Sequence, residues 1–270
     1  MDILTHALSG TAVASCTSAF IKTTPLKRAK ILFIGTLGGA FPDIDAISMW
    51  SRFDSTIGNL FSLSHKGREI YGMKLWYSHH AFFHSLLASL LFGVLLVVFI
   101  SLLKKTTRSR RNNPSSSFSI QPLMVYFITF VLAYWAHLAG DLPTPSSVWG
   151  GIALFWPSNV YVGGYGDIWW WNNYDVFLLI LCSIILILLI PVFSKNIRKN
   201  APLFSVFVLS ATLMLIIMQM NNRTYKYNYK RDSSGYAKME ENSKKEQERI
   251  LGKRLYRYMS WLDSKIPLHF

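Results

Sequence analysis

The chain has 270 residues, of which 51% are hydrophobic, 15% aromatic and only 16% charged, and it carries 28 Lys and Arg against 14 Asp and Glu, a formal net charge of +14. That composition is too apolar for most water-soluble chains of this length and points to an integral membrane protein. Its two cysteines, Cys16 and Cys182, both fall in apolar segments and say nothing about redox compartment.

In chain order, two weaker apolar segments come first, residues 4–21 and 29–41, each interrupted by small or polar residues. They read as short or half-buried membrane helices. The opening MDILTHALSGTAVASC superficially offers a secretory signal with a lipoprotein box at Cys16, but the first basic residue is Lys22 and a signal needs a positively charged start. Gly10, together with Gly35 and Gly39 at GxxxG spacing, reads as a helix-packing contact. Four stronger runs follow, residues 82–103, 120–140, 176–193 and 203–220, none containing Lys, Arg, Asp or Glu. The first, with 22 residues, is long enough to cross a hydrocarbon core of about 30 Å at about 1.5 Å per residue. The expected fold is all-α, a polytopic membrane helical bundle with four clear transmembrane helices plus two shorter N-terminal apolar helices. Residues 1–220 form the membrane-embedded domain and residues 221–270 a basic, partly amphipathic helical tail.

Topology follows from the basic residues. Lys22, Lys27, Arg28 and Lys30 fill the first connection, Lys104, Lys105, Arg108, Arg110 and Arg111 the one after residue 103, and Lys195, Arg198 and Lys199 the one before the last helix. The connection from Asp141 to Asp175 has neither Lys nor Arg. The positive-inside rule places the three basic loops in the cytoplasm and the 141–175 connection outside, with IWWWNNY, residues 168–174, as an outer interfacial anchor. The tail conflicts with this placement, since residues 221–270 hold 12 of the 28 basic residues against 6 acidic ones. Its second half, with Ile250, Leu251, Leu255, Tyr258, Met259 and Leu262 among Lys and Arg, has helical spacing and reads as a helix on anionic lipid rather than as a nucleic-acid binder.

Within that topology the ionisable residues gather at one end of their segments. Asp2 and His6 begin the first, Asp43 and Asp45 of GGAFPDID end the second, His79, His80 and His84 of YSHHAFFHSLL begin the third, and His137 and Asp141 of HLAGD end the fourth. Residues four apart on a helix lie about 40° apart around its axis, so Asp2 with His6, His80 with His84, and His137 with Asp141 can each point two donors at one ion. Imidazole with carboxylate and no thiolate suits Zn, Mn or Fe, and up to eight donors allow one or two ions. Taken singly, a membrane histidine is more often an interhelical hydrogen-bonding residue and a helix-end aspartate more often a cap. A cluster weighs more, because an Asp at a membrane helix centre costs about 2.5–3.5 kcal/mol to insert.

Four blocks, MDILTHALSG, GGAFPDID, HHAFFHSLL and HLAGDLPTPSSVWGGIALFWP, resemble those of the membrane-bound metal-dependent hydrolases of the YdjM type, in the same order, over roughly residues 1–160. That family's pattern runs D-x-x-T-H-x-x-x-G, P-D-x-D, H-R-G-x-T-H-S, then H-x-x-x-D-x-x-T with a later W-P. The resemblance implies a multi-helix inner-membrane protein and a hydrolase inferred from likeness to zinc-dependent phospholipase C. It carries over to Asp2, Thr5, His6, Asp43, Asp45, His79, His84, His137, Asp141 and Thr144. The third block departs from it: His80 stands at the arginine position, Ala81 at the glycine and Phe83 at the threonine. Helical spacing pairs His80 with His84, whereas the family pattern selects His79, about 140° from His84 if both were helical. Following the family places the helix start near Ala81, with His79 on the entering loop and His80 as second choice.

The expected function is hydrolysis, by a metal-activated water at the outer membrane face, of a phosphoester or other ester in an amphiphilic or lipid-linked substrate. Asp43, Asp45 and His84 are the candidate catalytic groups, with Asp43 or Asp45 as the base. Thr5, His80, Ser85 and Thr144 are the candidates for orienting the ligands. The rival is a metal-ion transporter or metal sensor, whose site would be expected nearer the midplane.

Overall fold

The computed structural model describes residues 1–109, 121–229 and 233–265. The basic segment 108–117 read from the sequence therefore lies outside the described residues from 110 onward, as does the start of the second strong run at residue 120. The described residues form nine α-helices: α1 (Ile3–Ala19), α2 (Pro25–Ala40), α3 (Gly67–Gly72), α4 (Leu86–Ser109), α5 (Gln121–Asp141), α6 (Tyr174–Phe193), α7 (Lys195–Lys199), α8 (Ala201–Asn221) and α9 (Ser233–Asp263). Among the described residues only two isolated bridges, Pro145 to Tyr165 and Ile152 to Val162, interrupt the all-helical character.

Five helical stretches are long and apolar enough to cross a membrane: Pro25–Met49, which joins α2 to a following 3₁₀ segment, Leu86–Thr106, Gln121–Asp141, Tyr174–Phe193 and Ala201–Asn221. The longest outward-facing apolar ladder is on α4, where Leu87, Leu91, Val94, Leu95, Val98 and Leu102 stay exposed, as lipid-facing side chains do. On the inner side α5 buries Phe130 and Tyr134, which pack with Ile34 of α2 and Ala88 of α4.

Helices α1 and α2 meet backbone to backbone, and their glycines permit it. A methyl group on Gly10 would stand 2.1 Å from the carbonyl oxygen of Gly35, and one on Gly39 2.3 Å from that of His6. These glycines are the packing contacts their spacing suggested. Pro42, at the start of a 3₁₀ helix over Phe41–Met49, follows the last turn of α2. This tighter segment carries both Asp43 and Asp45.

The bundle runs up and down, so its chain connections separate by chemistry. Lys22, Lys104, Lys195 and their basic neighbours lie in the connections at one end. The start of α1, the ends of α2 and α5, and the starts of α4 and α6 meet at the other, which is the end the sequence singled out. The tail also docks there. Arg223 Nη2 makes a buried ion pair with Asp175, lying 2.9 and 3.0 Å from its two carboxylate oxygens, and Gln247 Oε1 of α9 accepts the Asp175 backbone N–H at 3.1 Å. The expected interfacial belt is therefore partly wrong: Trp169 is fully buried, covered by Tyr227, Tyr229 and Tyr236 of the tail. Neither hydropathy nor charge pattern signals that the tail folds back over this stretch.

Candidate metal centre

The strong helix begins later than expected. Ser85, extended in backbone, accepts the N–H of Ala88 through Oγ at 3.1 Å and so caps α4, which starts at Leu86. Phe82–His84 form one 3₁₀ turn ahead of it. His80 adopts a left-handed backbone with φ of 64°, which only a few per cent of non-glycine residues do. Its carbonyl accepts from Ala153 N–H at 2.8 Å, and its Nδ1 lies 3.2 Å from the Gly151 carbonyl, to which it donates. The helical pairing of His80 with His84 therefore does not form, and all three histidines of the block are placed by irregular backbone.

His137, on the last turn of α5, lies with Nδ1 2.7 Å from the carbonyl oxygen of Gly39. A carbonyl only accepts, so Nδ1 carries the proton and Nε2 presents its lone pair to the cluster. Asp45 plays the same part for two rings: Oδ1 lies 2.7 Å from His79 Nδ1, and Oδ2 lies 3.1 Å from His84 Nδ1. His84 Nε2 is thereby aimed at His137 Nε2 at 3.3 Å, Asp141 Oδ2 at 3.5 Å and Asp43 Oδ1 at 3.7 Å. His137 Nε2 stands 3.0 Å from Asp141 Oδ2 and 3.7 Å from Asp43 Oδ1.

These contacts set lone pair against lone pair inside a buried pocket, and Asp141 Oδ2 has no hydrogen-bond donor. A positive charge there, as a proton on His84 or as a metal ion, would relieve that repulsion. Burial by itself would lower the His84 imidazole, but Asp45, Asp43 and Asp141 outweigh it and push it up to about 10. The spacing also suits a divalent ion. Donors about 2.0–2.1 Å from a tetrahedral zinc are about 3.4 Å apart, and His84 Nε2, His137 Nε2 and Asp141 Oδ2 stand 3.0–3.5 Å from one another.

The other expected residues fall around this core. His6 stacks on His137 with ring centres 3.7 Å apart, and its Nε2 lies 3.0 Å from Asp141 Oδ1, while Nδ1 is buried without a partner. Three overlapping groups bring their donor atoms within 4.8 Å of one another: His84 with His137 and Asp141, His6 with Asp43 and His137, and His79 with His80 and His84. Buried His and Asp groups able to hold a metal ion are thus present. Asp2 belongs to none of them. It caps α1, its carboxylate accepting the backbone N–H and the hydroxyl of Thr5 at 2.8–3.0 Å. Of the hydroxyls expected to orient ligands, Thr5 acts on Asp2, whereas Thr144 donates to the Asp141 carbonyl at 2.7 Å and Ser85 to that of Phe82 at 2.7 Å.

Several supporting groups had no signal in the sequence. Tyr71 of α3 stacks on His79 with ring centres 4.5 Å apart, and Trp149 packs against His79 and His80 while donating its indole N–H to the Tyr71 carbonyl at 2.9 Å. Burial, with His79 and His84 beside it, holds the His80 imidazole well below its ordinary value. A cavity of about 890 Å³ opens beside the cluster, reached by Asp43, Asp141, His79 and His80.

No curated protein and no solved structure matches the chain. A family model described as YdjM inner membrane protein matches residues 1–223, a span that holds every residue of the cluster. The four sequence blocks, the membrane-length helices and this match agree, and the chain belongs to the YdjM inner membrane protein family.

Proposed function

We propose that the protein is a membrane-bound metal-dependent hydrolase acting on a phosphoester or other ester of a membrane-associated substrate, in residues 1–220, with 221–270 as an accessory tail. The observation that carries this reading is the trio His84 Nε2, His137 Nε2 and Asp141 Oδ2, with Asp43 Oδ1 3.7 Å from both imidazole nitrogens, the two rings being oriented by Asp45 and the Gly39 carbonyl. A divalent ion held there, Zn before Mn or Fe, would supply Lewis-acid activation of water near neutral pH. His79 and His80, with His84, are the donors on which a second ion would draw.

The remaining chemistry belongs to the chain. His79 is gripped through Nδ1 by Asp45 and stacked on Tyr71, which leaves Nε2 as the atom able to take or give a proton at the cavity wall. Asp45 has both oxygens occupied by imidazoles, so it suits holding the rings better than acting as the base. Tyr71 and Trp149 cover faces of the His79 and His80 rings. By the positive-inside rule the cluster end faces outward, because the basic connections gather at the opposite end.

The test is metal content by mass spectrometry on detergent-purified protein, wild type beside His137→Ala and Asp141→Ala, with a phosphodiester and phospholipid hydrolysis screen. One or two equivalents of metal, lost in the variants together with activity, is the expected result. A wild-type protein that takes up no added metal overturns the proposal.

A further inference from the structure

The lining of the cavity beside the cluster combines two kinds of chemistry. Asp43, Asp141, His79 and His80 supply one. The other comes from Trp171, from Phe177 of α6, and from Met259 and Leu262 of α9. The last two lie beyond residue 223, outside the family match. Taking the hydrolase reading as its basis, we infer that α9 completes a chamber for a single-headed anionic amphiphile, with the anionic head between the metal cluster and Arg68 and the alkyl part along Trp171, Phe177, Met259 and Leu262.

Three observations support this assignment. First, the tail's part of the lining is fastened. Besides the buried Arg223 and Asp175 pair, Tyr174 Oη donates to Asp263 Oδ2 at 2.7 Å, tying the end of α9 to the start of α6. Second, α9 breaks at Gly252, where φ is 74°, and the segment beyond it turns one apolar rung inward. Met259 is 5% exposed, whereas its neighbours Tyr258 and Trp261 are 59% and 53% exposed. Third, the lining cations differ. Lys244 is paired with Glu240 at 2.7 Å, but Arg68 forms no hydrogen bond or ion pair with any described residue. A guanidinium without a partner at the mouth of an otherwise carboxylate-rich cavity matches a phosphate or phosphonate head, which it binds with two parallel N–H donors. The volume of about 890 Å³ suits a ligand larger than a free phosphate. Phe177 belongs to a membrane-length helix, so the apolar lining continues toward the hydrocarbon region.

The experiment titrates full-length, metal-loaded protein in nanodiscs with 1-alkylphosphonates from methyl to octyl, read by tryptophan fluorescence after subtraction of empty nanodiscs. Affinity should rise about fourfold per methylene, the ratio that burying one CH₂ carries. Leu262→Asn should flatten that rise while leaving methylphosphonate affinity unchanged. Arg68→Gln should weaken every member of the series alike, by about tenfold. A flat series in the wild type, or an unchanged slope in Leu262→Asn, overturns the inference. Metal content is read separately: a metalloprotein with a flat series loses the chamber but keeps the hydrolase reading, and a metal-free protein with the slope intact does the reverse.

Discussion

Asp45→Asn exchanges one carboxylate oxygen for an NH₂ group at the centre of the histidine cluster. In the native chain the two oxygens accept from His79 Nδ1 at 2.7 Å and His84 Nδ1 at 3.1 Å. An amide keeps one acceptor and turns the other into a donor facing an imidazole N–H, so one ring must rotate or change tautomer. If His84 changes, its proton moves to Nε2, the atom that faces His137, Asp43 and Asp141, and one metal donor is lost. Loss of such an orienting partner typically costs about 10- to 100-fold in metal affinity, or about 1.4–2.7 kcal/mol. The assay is competition for zinc against a chromophoric chelator on detergent-purified protein, with thermal unfolding as a check on folding. Unchanged affinity would show that Asp45 does not orient the rings. A loss beyond about 1,000-fold in a folded variant exceeds what an orienting partner contributes and would make Asp45 a ligand itself.

Gly39→Ala places a methyl group 2.3 Å from the His6 carbonyl and forces α1 and α2 apart, so a stability loss of about 1–3 kcal/mol and lower metal content are expected, whereas Gly235→Ala, with no atom within 4 Å, should leave both unchanged. Arg223→Ala leaves Asp175 buried without its partner, at a cost of about 3–5 kcal/mol, and should speed tryptic cleavage of the tail; an unaltered digestion course would mean that the pair does not hold α9. Chelation should lower the unfolding temperature and added zinc restore it, by about 2.7 kcal/mol at a metal concentration 100 times the dissociation constant; equal unfolding with and without chelator would argue that no ion supports the native state.

Much of the architecture was legible because hydropathy and charge are local properties. Four runs without a charged residue became α4, α5, α6 and α8, and the GxxxG spacing of Gly35 and Gly39 became a backbone-to-backbone crossing. The gathering of His and Asp residues at one end was also readable, because helix polarity alternates along the chain. Individual roles were less so. Asp2 and Asp45 carry the same side chain in similar motifs, yet one caps α1 and the other grips two imidazoles.

The sequence by itself determined the class of protein, the ends of the bundle at which the basic residues and the His and Asp residues gather, and the residues from which the proposed metal site is drawn. Tertiary structure alone decided which atoms of those residues meet. That choice rests on backbone no periodicity describes: the 3₁₀ turn after Pro42, the left-handed His80, and the late start of α4 at Leu86. It rests also on partners far away in the chain, the Gly39 carbonyl for His137 and the returning tail for Asp175 and Trp169. An imidazole becomes a ligand only when its second nitrogen is satisfied, and the group that satisfies it is chosen by packing rather than by spacing.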